Sequence, residues 1–218
     1  MKRYRVYFHR LGWKDYIKFL LRKPWLLPMG VVLKPFRASV LESWASFQEY
    51  RLAETPGNIS VKHVKWHEQA IGKENVADYR FIGWDISSGN PEICSTCKIH
   101  YSPKSGVVVM TNLTETIPNG KTVDSRIGCI SRANTGVYLI TTNGYEDMPA
   151  SAFTARERVA KASIEVLLQR HQDRMKTIDN AWIALSDDEI AAALSMLHTN
   201  NYEYFRSIGF YGPIEETA

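Results

Sequence analysis

Three cysteines in 218 residues are few and odd in number, which excludes a secreted disulfide framework and fits a reducing cytoplasm, the expected location. Staples are unnecessary in any case, because a chain of this length can bury well over half of its unfolded surface. No apolar run is long enough to span a bilayer. The nearest candidate, residues 16–33, carries Arg22 and Lys23 at its middle and is broken by Pro24 and Pro28. No stretch reads as a cleaved leader peptide. Also missing are Gly-x-Ser-x-Gly, a Walker loop, Gly-x-Gly-x-x-Gly and His-Glu-x-x-His, the common hydrolase, nucleotide and metalloprotease signals. Their absence weakens an enzymatic reading without closing it.

Negative charge is scarcest in the first 37 residues, where ten basic side chains face Asp15 alone and the segment carries +9, against +4 for the whole chain. The remainder is therefore acidic. The basic segment is interleaved with Tyr4, Tyr7, Phe8, Trp13, Tyr16, Phe19, Trp25 and Phe36. Cations that neutralise phosphates beside rings that stack on bases suit a polyanion, above all nucleic acid. The candidate contacts are Arg3, Arg5, Arg10, Lys14, Lys18, Arg22 and Lys23, with Trp13 as the ring. The competing explanation is that the rings fill a core while the basic heads pair with the acidic remainder of the same chain.

What is present points to an α+β domain. Alternation in residues 3–9 predicts a strand with Tyr4, Val6 and Phe8 on one face. A short helix over residues 14–23, a strand at "MGVVLK" and an amphipathic helix over residues 38–54 would complete a basic β-α-β-α segment spanning 1–56. Residues 79–142 change texture to the strands "YRFIGWDI", "CKIHYS", "GVVVMTNL", "KTVDSRIGCIS" and "GVYLITT", separated by Gly-, Asn- and Pro-containing turns that imply antiparallel neighbours. Two capping boxes, Thr154 to Glu157 and Ser186 to Glu189, predict helices in residues 152–210, the second carrying Ile190, Ala193, Leu194 and Leu197 inward. The tail "SIGFYGPIEETA" reads as fraying. The expected architecture is one domain over 1–218: a mainly antiparallel twisted sheet of about five to seven strands, with N- and C-terminal helices packed on one side. If a seam exists, it lies near 143–151.

The stretch "ICSTCKIH", residues 93–100, raises the question of a metal. Cys94-x-x-Cys97 can point two thiolates at one zinc, and His63-x-x-x-His67 sets two imidazoles on one helix face, so the four are candidate ligands. The resemblance to zinc-dependent deaminases is off register, with Glu68 adjacent to His67 and Pro91 three residues before Cys94. As a strand, however, the stretch puts Cys94, Thr96, Lys98 and His100 on one face and Cys97 on the other. The alternative to a zinc site is therefore buried or half-buried thiols with histidines facing solvent. Cys129, between Arg126 and Arg132, is either a thiol activated by the arginines or a small apolar residue alternating with Ile127 on a buried face.

The functional expectation is a non-enzymatic, cytoplasmic binding module that engages a polyanion through its basic N-terminal face and needs no cofactor. A protein–protein interaction or inhibitor module is the alternative. A zinc-dependent enzyme or zinc-stabilised domain is the third.

Overall fold

The computed structural model describes residues 2–10, 16–17, 39–43, 50–55, 57, 59–72, 78–87, 93–117, 119–144, 151–178 and 181–216. Its first strands are β1 (Lys2–Tyr7), β2 (Ser39–Ser43) and β3 (Leu52–Ala53), with a 3-10 turn at Phe8–Arg10. Helix α1 (Val61–Ile71) is followed by the meander β4 (Arg80–Ser87), β5 (Ile93–Ser102), β6 (Val107–Thr116), β7 (Thr122–Arg132) and β8 (Tyr138–Thr142). Strand β9 (Thr154–Arg158), helices α2 (Ile164–Thr177) and α3 (Asp187–Ser207), and strand β10 (Tyr211–Glu216) complete the order.

Strands β3 to β9 form one seven-stranded sheet in sequence order, antiparallel throughout except for the parallel β8–β9 pair. This is the expected α+β class. Period-two alternation divides the apolar side chains between two cores. Val107, Val109, Ile127 and Cys129 pack with Ile164, Leu167 and Leu168 of α2. Cys97, Ile99, Tyr101 and Val108 pack with Ile190, Ala193 and Leu194 of α3. The helices therefore cover both faces instead of the expected one: α1 and α2 on one side, α3 on the other. Two fully buried tyrosines fasten α3 down. The Tyr138 hydroxyl donates to Ala193 O at 2.8 Å, and the Tyr101 hydroxyl accepts from Leu185 N at 2.6 Å.

Several local expectations give way to tertiary pairing. The helix expected over 38–54 is replaced by β2, which pairs with β1 from Tyr7↔Ser39 to Arg3↔Ser43, and by β3; residues 44–49 lie outside the described residues. Helix propensity is a weak prior where a neighbouring strand offers a full ladder. The first capping box is likewise a strand. Thr154–Arg158 runs parallel to β8, Glu157 pairs with Arg170 and Arg174 of α2, and the helix begins only after Ser163. The second box forms as read, with Ser186 and Glu189 closing the α3 N-terminus reciprocally.

The tail does not fray. Strand β10 pairs antiparallel with β1 to make a second sheet in the order β10-β1-β2, and Tyr211 is buried against Tyr202. The "MGVVLK" strand and all but Tyr16 and Ile17 of the first expected helix fall outside the described residues. Among the described residues no helix is long and apolar enough to cross a membrane.

Candidate functional site

Helix α1 presents His63, His67 and Ile71 to the sheet at i, i+4, i+8, so two of its three buried positions are imidazoles. The expectation of solvent-facing histidines is overturned: His63 is 3% and His67 0% exposed. Both enter a row of hydrogen bonds beneath the helix. Glu115 Oε2 lies 3.1 Å from His63 Nε2, and His63 Nδ1 lies 2.9 Å from Thr96 Oγ1. Thr96 Oγ1 is also 2.9 Å from His67 Nε2, and His67 Nδ1 is 2.7 Å from Thr111 Oγ1.

With both rings neutral, one direction of donation satisfies every atom. Thr111 donates to His67, His67 to Thr96, Thr96 to His63, and His63 to the Glu115 carboxylate. Burial pushes the His67 imidazolium down to about 3, with His63 and Lys98 adding to the fall. Hydrogen bonding from Lys62 holds Glu115 below the usual carboxylate range, against the opposing effect of its own burial. Glu115, His63 and Thr96 have the connectivity of a catalytic triad. Thr96 is fully buried, however, and its hydroxyl is held between two imidazoles, so it offers no nucleophile to an outside substrate.

The four candidate zinc ligands are not brought together. Cys94 shares the α1 face with the histidines, whereas Cys97 lies in the core against α3. Among the described residues no group of three or more His, Cys, Asp or Glu side chains is placed to hold a metal. Burial raises both the Cys97 and the Cys129 thiol far above the ordinary range, and strand parity puts Arg126 on the face opposite Cys129. Cys129 is thus a small core residue.

Of the polyanion candidates, Arg5 and Arg10 are exposed, and Arg3 lies on β1. Trp13, Lys14, Lys18, Arg22 and Lys23 lie outside the described residues. The β1–β10 register sets Lys2 opposite Glu216 and Arg3 opposite Glu215.

A cavity of about 140 Å³ lies on the other face, between the sheet and α3. Its walls are Met110, Ile130, Ile140, Leu194 and Leu197, with Gly128 leaving room in the floor. Polar groups converge on it from four elements: Asn112 of β6, Arg126 of β7, Arg156 of β9 and His198 of α3, joined by Thr142 and by Tyr50 just ahead of β3. Tyr50 is clamped to α3 twice, its N–H donating to Ser195 Oγ at 3.0 Å and its hydroxyl lying 3.0 Å from His198 Nε2. Arg126 needs a glycine beside it. A Cβ on Gly144 would stand 2.8 Å from Arg126 Cβ, so any larger residue there would push the arginine stem aside.

This site was not legible in the sequence. Its members are scattered from residue 50 to residue 198, and strand parity links only those on β6 to β9. Comparison with protein-family models, curated proteins and solved structures finds no match to the chain.

Proposed function

We propose that the protein is a binding module for a small organic anion, held in the cavity between the sheet and α3. The observation that carries this reading is an apolar chamber whose polar contributors are predominantly cationic or hydrogen-bond-donating, with Arg126 and Arg156 among them. Apolar walls with a few convergent polar groups are the general pattern of small-molecule sites. The volume, about 140 Å³, matches a single six-membered ring, since a dry cavity of roughly 150 Å³ accepts benzene. Among the described residues no carboxylate or thiol lines the chamber, although Asp124 Oδ2 lies 3.4 Å from Arg126 Nε, so a bound anion would share that arginine with Asp124.

Calorimetric titration with benzoate, beside its near-isostere benzyl alcohol, tests the reading. Benzoate is expected to bind saturably and benzyl alcohol much more weakly. Arg126→Ala should weaken benzoate roughly tenfold to a hundredfold, the worth of a charge-assisted hydrogen bond. Equal affinity for acid and alcohol, or an unchanged affinity in the variant, would sink it.

A second reading keeps a polyanion on the N-terminal face, supported by the exposure of Arg5 and Arg10. It expects retention of single-stranded oligonucleotide that falls steeply with salt and is lost in Arg5→Glu/Arg10→Glu. Retention independent of salt would remove it.

A further inference from the structure

Six of the described glycines have a positive φ. Three more meet a close neighbour where a Cβ would stand: Gly83 at 3.0 Å from Leu52 Cβ, Gly144 at 2.8 Å from Arg126 Cβ and Gly212 at 3.1 Å from the Tyr7 ring. Gly128 has neither reason. It sits in the middle of β7, opposite Met110 on one side and Thr142 on the other, with no shift of register at that point, so it marks no bulge. A Cβ there would stand 3.8 Å from Thr142 Oγ1 and 3.9 Å from Thr142 Cβ, which are ordinary contacts, and beyond its chain neighbours no other described group lies within 4 Å. A glycine inside a strand forgoes packing and loosens the unfolded chain. Where the backbone does not require one, its remaining use is to let a ligand approach closely.

The space over Gly128 is the cavity between the sheet and α3. Arg126 and Ile130, two residues to either side on β7, and Met110 and Thr142, across from Gly128 on β6 and β8, all line that cavity. The missing side chain therefore leaves a recess one residue wide, walled on four sides, with bare peptide for its floor and Leu194 and Leu197 facing it from α3. One end of the recess is polar. Opposite Arg126 on β6, the amide oxygen of Asn112 accepts from the Thr114 hydroxyl at 3.2 Å, which leaves the Asn112 N–H groups to donate elsewhere. A ligand lying in the recess has its apolar body over Gly128 and its acceptor group directed along β7 to Arg126 and Asn112. Bare peptide is a flat surface, so a flat ring lies on it, whereas a saturated ring of equal carbon number is thicker and overfills a chamber of about 140 Å³.

We propose that Gly128 is the specificity-determining residue of the cavity, and that the anion held there is an aromatic carboxylate whose ring lies flat on the β7 backbone at Gly128. This rests on the small-anion reading of the cavity and adds to it which acids enter.

The test titrates the full chain, as parent and as Gly128→Ala, with benzoate and with cyclohexanecarboxylate by calorimetry. The parent should bind benzoate at least tenfold more tightly than the saturated acid. In Gly128→Ala the added methyl fills the recess, so benzoate should weaken at least tenfold while the thermal midpoint rises by about 1–4 °C, the gain from a Gly-to-Ala change that the backbone accepts. Binding lost as stability is gained separates a glycine that makes room for a ligand from one that serves the fold. Proton NMR gives an independent reading: benzoate should move the Gly128 α-protons of the parent upfield through its ring current. The proposal is overturned, and the small-anion reading left standing, if Gly128→Ala binds benzoate as the parent does, if cyclohexanecarboxylate binds as tightly as benzoate or more so, or if the Gly128 α-protons do not move. A lowered thermal midpoint in Gly128→Ala overturns it as well, since the glycine then serves the fold. If the parent binds neither acid, the reading of the cavity fails and the proposal with it.

Discussion

Acidification from pH 7 to about pH 4.5 is expected to unfold the protein cooperatively, because three imidazoles are buried in their neutral form. Burial lowers His67 to about 3, His171 to about 3 and His100 to about 4, the last two helped by Arg174 and Lys98 respectively. A histidine whose folded pKa is depressed contributes its full stability above the unfolded value, near 6.5, and loses it as pH falls toward the folded one. Each such group costs about 1.4 kcal/mol per pH unit in that window, so the three together cost about 4.

One buried group pulls the other way. Desolvation raises the Asp85 carboxyl to about 6, so the protein gains stability from Asp85 as pH falls through 6, at about 1.4 kcal/mol per unit. Three against one leaves a net loss of roughly 6 kcal/mol between pH 6.5 and 4.5, comparable to the whole stability of many domains. Urea titrations at half-unit pH steps read this slope directly. Stability that stays flat from pH 7 to pH 5 would contradict it. His171→Asn, which removes the ring held between Ser131 and Thr141, should reduce the slope by about one proton.

How much of this was legible depends on whether a feature is set by local pattern or by long-range pairing. The β5 stretch around Cys97 behaves as its alternation requires: Thr96, Lys98 and His100 face α1, and Cys97 faces α3. The α3 stripe of Ile190, Ala193, Leu194 and Leu197 is buried as its helical period demands. Thr154–Arg158 fails because a four-residue capping motif competes with the open edge of β8, and the ladder wins. The tail fails for the same reason, since β1 supplies a partner some 210 residues away in sequence.

The histidine spacing raises metal chemistry as one alternative and solvent-facing rings as the other, and neither holds. The signal was real in placing both rings on one helix face, but spacing alone says nothing about what that face meets. Here it meets Thr96, Thr111 and Glu115; alternation groups Thr96 with one face of β5, but which face α1 covers is set only in the assembled sheet.

That row of hydrogen bonds yields the sharpest mutational expectation. Thr96→Val preserves shape and volume, so it opens no cavity, yet it should destabilise the protein by roughly 2–6 kcal/mol. It strands two buried groups at once, the His63 Nδ1 acceptor and the His67 Nε2–H donor, at about 1–3 kcal/mol each. Thr96→Ser keeps the hydroxyl and loses one methyl, for about 1 kcal/mol. A large gap between two such similar substitutions separates hydrogen bonding from packing. Imidazole nitrogen NMR supplies a second reading: with Thr96 in place, His67 should carry its proton on Nε2 and none on Nδ1. A Val variant within 1 kcal/mol of the parent, or the opposite tautomer at His67, would show that the row is not a coupled network and that α1 is held by its apolar contacts alone.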